Sequence, residues 1–93
     1  MAIGNAFDNP GEEQATVDGV TFVKGSKLVL RPGTDRGTHD RLLDGRRATL
    51  ERIYVDYDDR VHLAVTVDDD PGQDLMRETG RYLFFFANEV EPA

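Results

Sequence analysis

Ninety-three residues suffice for one domain, and at that size a folded chain hides only about 60–65% of the surface of its unfolded form, so the core must be thin. There is no cysteine, which excludes disulfide bracing, thiolate metal sites and thiol chemistry. Eighteen acidic against eleven basic residues set a formal net charge of -7, which repels a phosphate backbone and makes nucleic acid the weaker expectation as a partner.

The chain does not open with a charged N-region followed by an apolar stretch, so a cytoplasmic protein is expected. The longest apolar run, Tyr82 to Ala87, is far short of the roughly 20 residues that cross a bilayer, so no membrane attachment is expected. Met1 to Asp18 contains Gly4, Asn5, Asp8, Asn9, Pro10, Gly11, Glu12 and Glu13 without a sustained period. It reads as a flexible tail, residues 1–18, ahead of a β domain over 19–93.

From Val20 onward short apolar runs are punctuated by turn residues, a pattern of strands. Lys27 to Arg31 is the first clear strand, and Pro32-Gly33 stops it. In the long loop that follows, Thr38 can cap a short helical turn through Leu42 and Leu43, with Gly45 past its end and both leucines folded back on the domain. Ala48 and Leu50, then Ile53, Val55 and Tyr57, keep period two on either side of one slip at Glu51-Arg52, which predicts a β-bulge.

After Asp58-Asp59 comes the strongest alternation in the chain, with Val61, Leu63, Val65 and Val67 on the core face. Arg60, His62, Ala64 and Thr66 lie opposite, where Thr66 should tolerate a charge. Asp68 to Gly72 ends that strand, and Gln73 to Gly80 reads as a polar loop. An aromatic strand over Arg81 to Phe86, a turn at Ala87-Asn88-Glu89 and a short strand at Val90-Glu91 complete the chain. Five strands in this order predict an SH3-like half-open barrel. The OB-like alternative would need a helix where Gln73 to Gly80 lies.

Few residues can carry chemistry. Ser26 is the sole serine and sits in a turn without a nucleophile elbow, and Gly25-Ser26-Lys27 lacks the spacing of a phosphate loop. His39 and His62 have no motif that supplies a catalytic partner, and His62 is expected on an exposed strand face. Asp68, Asp69, Asp70 and Asp74 lack the ligand spacing of a calcium loop and read as a solvated turn. The chain is therefore expected to be neither an enzyme nor a metal or cofactor carrier.

The aromatics are the richest feature. In the strand over Arg81 to Phe86, one alternate set must face outward, either Tyr82, Phe84 and Phe86 or Leu83 and Phe85. Such surplus apolar surface needs a cover, whether a partner or the chain's own tail or helical turn. Arg46, Arg47, Arg52, Arg60 and Arg81 are placed to ring the patch, in the aromatic-plus-arginine composition that interfaces favour. The expected contact surface is Arg47, Arg52, Arg81, Tyr82, Phe84 and Phe86, and composition sets no oligomeric state.

Gly45-Arg46-Arg47-Ala48-Thr49-Leu50-Glu51-Arg52-Ile53 resembles the glycine-led strand start of KOW-type SH3-like barrels. Phe86 to Pro92 resembles the 3₁₀ turn and last strand that close them. The run from Gly45 to Pro92 also resembles an actinobacterial module associated with hydrogenase-maturation neighbourhoods, which implies a partner context and no particular activity. A non-catalytic protein-binding module, accessory to hydrogenase or other metalloenzyme maturation, is the expectation. The KOW likeness implies the alternative, a nucleic-acid-binding domain.

Overall fold

The computed structural model describes residues 11–93 except Asp35, and of His39 only the backbone. The chain is mostly β. A hairpin of β1 (Gln14–Val17) and β2 (Val20–Val23) precedes a five-stranded antiparallel sheet. That sheet comprises β3 (Lys27–Leu30), β4 (Arg47–Val55), β5 (Val61–Val67), β6 (Leu83–Phe86) and β7 (Val90–Pro92), in the order β6-β5-β4-β3-β7. Helix α1 (Thr38–Arg41) lies between β3 and β4, helix α2 (Gln73–Thr79) between β5 and β6, and a 3₁₀ turn (Ala87–Glu89) leads into β7.

The first hairpin corrects the expectation of a tail through Asp18. Asp18 and Gly19 both have positive φ, the geometry of a two-residue turn that matches strand twist, so Val17 pairs with Val20 and Ala15 with Phe22. Phe22 is buried, and Ala15 and Val17 pack on the core. The hairpin is tied to the main sheet where the Glu12 N–H donates to the Ile53 carbonyl at 2.7 Å. Gly11 has φ +78°, and a Cβ there would run into the Ile53 carbonyl oxygen, so only glycine permits this approach. The first ten residues of the expected tail lie outside the described residues.

The bulge falls at the expected slip: pairing with β5 passes from Leu50 to Arg52 and leaves Glu51 over. Leu50 and Ile53, three apart, therefore both point inward and are fully buried. With them the core holds Leu28, Leu30, Leu63, Val65, Val67, Phe85 and Val90. Of the two leucines expected to fold back from the long loop, Leu43 does and Leu42 is 74% exposed. The cap position of α1 is Gly37, with no side-chain cap, and Thr38 is the first helical residue.

Gln73 to Gly80, expected as a loop, forms α2. Seven residues are too few for a helix to be stable alone, so its partners decide the matter. Gln73 Nε2 donates to Thr66 Oγ1 at 3.0 Å and to Asp68 Oδ1 at 2.9 Å, and Arg77 pairs with Glu51 at 2.9 Å. Gly80 ends the helix in the left-handed conformation, its N–H bonded to the Met76 carbonyl. Thr66 thus lies under α2 with no exposed surface, which overturns its expected tolerance of charge.

Candidate functional site

Helix α2 covers one end of the outward face of β4 and β5. At the other end the register aligns Tyr54, His62 and Phe86 in one row and Arg52, Ala64 and Phe84 in the next. Phe85 points inward and is 2% exposed, while Phe84 and Phe86 are 37% and 38% exposed. Of the two possible registers for this strand, the one presenting Tyr82, Phe84 and Phe86 is realised.

The rings are held by their neighbours. Tyr54 and Phe84 lie 6.3 Å apart between centroids, and His62 and Phe86 5.2 Å. The Arg52 guanidinium stands 5.9 Å over Tyr82, and that of Arg60 5.6 Å over Phe86. Burial pushes the Tyr54 hydroxyl up from its ordinary value, partly offset by the charge of Arg52 and a hydrogen bond with it.

His62 is not the exposed strand residue expected. Its Nε2 lies 2.8 Å from Asp56 Oδ2, and only 16% of its side chain is accessible. The other Asp56 oxygen accepts the N–H groups of Asp58 and Arg60, closing the β4–β5 turn. The His62 hydrogen bond, with these N–H groups, holds the Asp56 carboxyl below its ordinary range.

Among the expected contact residues, Arg52, Tyr82, Phe84 and Phe86 come together, and Arg81 immediately precedes Tyr82. Arg47 does not join them. It pairs with Val29 at the start of β4, where its carbonyl accepts the Asp68 N–H, at the far end of the β4–β5 ladder. Arg60 and Phe86 also line a groove of about 590 Å³ with Val17, Asp18, Val61 and Asn88.

A second polar assembly went unforeseen. Arg36, in the long loop, meets Glu89 of the 3₁₀ turn at 2.7 Å and Asp40 at 3.1 Å, donates to the Phe84 carbonyl at 2.8 Å and lies 4.4 Å over the Phe85 ring. Glu89, 7% exposed, also accepts the Phe86 N–H. Arg36 together with backbone donors holds the Glu89 carboxyl down at about 2, against the opposing effect of burial. The partners stand 53 residues apart, so no local pattern signals them.

Elsewhere the reactive groups are engaged in structure. The Ser26 hydroxyl donates to the Val23 carbonyl at 2.6 Å. Burial raises the Asp68 carboxyl, but hydrogen bonds from Thr49, Lys27 and Gln73 outweigh it and leave the group below its ordinary value. Among the described residues, no group of three or more histidines and carboxylates is placed to hold a metal ion, and no helix is long and apolar enough to cross a membrane. No family model, curated protein or solved structure matches this chain.

Proposed function

We propose that this domain is an SH3-like half-open barrel acting in the cytoplasm as a non-catalytic protein-binding module. The contact surface would be the outward face of β6, formed by Tyr82, Phe84, Phe86, Arg52, Arg60 and Arg81. The observation that carries it is the pair Phe84 and Phe86, more than a third exposed side by side on one strand and accompanied by arginines; among the described residues the other exposed aromatic, Tyr57, lies in the turn after β4. A role beside hydrogenase or other metalloenzyme maturation rests on the sequence resemblance alone.

The barrel reading is supported by strand order: β3 to β6 are successive neighbours, and β7 returns to pair with β3. The helix between β5 and β6 removes the reason for setting an OB-like barrel aside, so the SH3-like reading now rests on that order. Three observations support a binding role over a catalytic one. Ser26 is held in a turn, His62 is tied to Asp56 beneath Phe86, and the Asp68 carboxylate is satisfied internally.

The test places a photoreactive amino acid at Tyr82 and captures partners from host extract. Phe86→Ser should abolish capture while moving the melting midpoint little, and Phe85→Ala should destabilise by about 3 kcal/mol or more through its cavity. Micromolar binding of single-stranded RNA at physiological salt would overturn the reading in favour of a nucleic-acid-binding domain.

A further inference from the structure

We propose that Asp18, at the tip of the β1–β2 hairpin, is a site of spontaneous aspartate-to-isoaspartate conversion, and that the fold protects Asp44, the other aspartate followed by glycine. The chain contains these two Asp-Gly pairs and no Asn-Gly pair. A glycine in second place carries no side chain to obstruct its own amide nitrogen on the way to the aspartate carboxyl carbon.

The step needs only water. The Gly19 nitrogen attacks Asp18 Cγ, the N–Cγ bond forms, and the amide proton and the hydroxyl of the protonated carboxyl leave together as water. The five-membered imide that results takes water back at either carbonyl. Opening at Cγ restores aspartate. Opening at the main-chain carbonyl breaks the original peptide bond, frees an α-carboxylate and routes the chain through Cβ and Cγ, one backbone atom longer.

Three observations separate the two sites. The Gly19 N–H has no acceptor among the described residues, whereas that of Gly45 donates to the Leu30 carbonyl at 2.8 Å. A Cβ at Gly19 would meet nothing within 4 Å, while one at Gly45 would stand 3.4 Å from Arg31 Nη1, a nitrogen that also lies 3.9 Å from Asp44 Oδ1. Ring closure turns the aspartate Cα–C bond out of its turn conformation, so it draws on local opening. Asp18-Gly19 is an exposed turn at the end of a two-stranded hairpin, but Gly45 lies where Leu30 also donates to the Arg46 carbonyl, inside the five-stranded sheet. The hairpin tip opens at lower cost.

A two-residue turn fixes the hairpin register, so an extra backbone atom between Val17 and Val20 misaligns Thr16 with Thr21 and lifts Val17 from the core. It also reshapes the groove that Asp18 lines with Arg60 and Phe86.

The test holds the whole chain at physiological pH and temperature for weeks, with a parallel sample in guanidinium chloride as the unfolded reference. Digests resolve the peptides bearing Asp18 and Asp44 from their isoaspartyl isomers of equal mass. Relative to the unfolded reference, Asp18 should lead Asp44 by about tenfold or more in the folded chain, the factor that one backbone hydrogen bond sets. Asp18→Asn and Asp44→Asn, from which ammonia leaves in place of water, should keep that order, read as a mass gain of the intact chain. The isolated isoaspartyl form should melt below its parent. Equal or faster conversion at Asp44 in the folded chain, or an inert Asp18 beside a reactive unfolded reference, overturns the assignment. An unchanged melting midpoint overturns the effect on the hairpin.

Discussion

Glu89 is the residue whose titration reports most directly on the fold. Its carboxyl sits at about 2 in the folded chain against 4.5 when unperturbed, so the folded state binds a proton less readily than the unfolded one. The stabilisation is then complete above about pH 5 and fades as pH falls from there toward 2, on the order of 2–3 kcal/mol. Denaturation midpoints across that range should fall for the native chain, and Glu89→Gln should lack this component while starting lower at pH 7, because Arg36 loses its carboxylate. Thr66 makes the second test at this scale. Thr66→Asp would bury a carboxylate beside Glu51, so a loss of about 2–4 kcal/mol is expected in chemical denaturation. A fully stable variant would mean that α2 does not cover that face.

Among the elements, the first hairpin and α2 depart from local expectation for opposite reasons. Asp18-Gly19 between Val17 and Val20 is a two-residue turn signal legible in the sequence, but the polar stretch before it obscures the strand that it starts. Deleting residues 1–18 removes β1 and uncovers Phe22, which should lower the melting midpoint by about 4–8 °C for each kcal/mol lost, a drop visible by calorimetry. An unchanged midpoint would show that β1 adds nothing to the core. Helix α2 has terminal signals in Asp74, Arg77 and Gly80, yet it exists because Glu51 and Thr66 lie beneath it. The bulge that presents Glu51 and the helix that meets it are one arrangement.

For the molecule as a whole, the acidic excess governs behaviour in solution. The chain carries -7 at neutral pH and reaches zero net charge near pH 4.6. Light scattering at low salt should therefore register self-association as pH approaches that value, with monodispersity regained well above it. The effect begins near where the stabilisation from Glu89 starts to fade, and salt separates the two: added salt screens contacts between molecules and barely reaches the enclosed Arg36–Glu89 pair.

Period and punctuation in the chain were enough to place β3, β4 with its bulge, β5, β6 and the terminal strand, because those signals depend on neighbours within a few residues. They also marked the aromatic strip, since a strand so rich in rings must present one alternate set outward. Which set it presents, the absence of Arg47 from the strip, the enclosure of His62 and Thr66, and the Arg36–Glu89 bond were decided only by tertiary packing. Each depends on groups brought together across one or more turns of the sheet, and a residue's own surroundings in sequence carry no record of what folds over it.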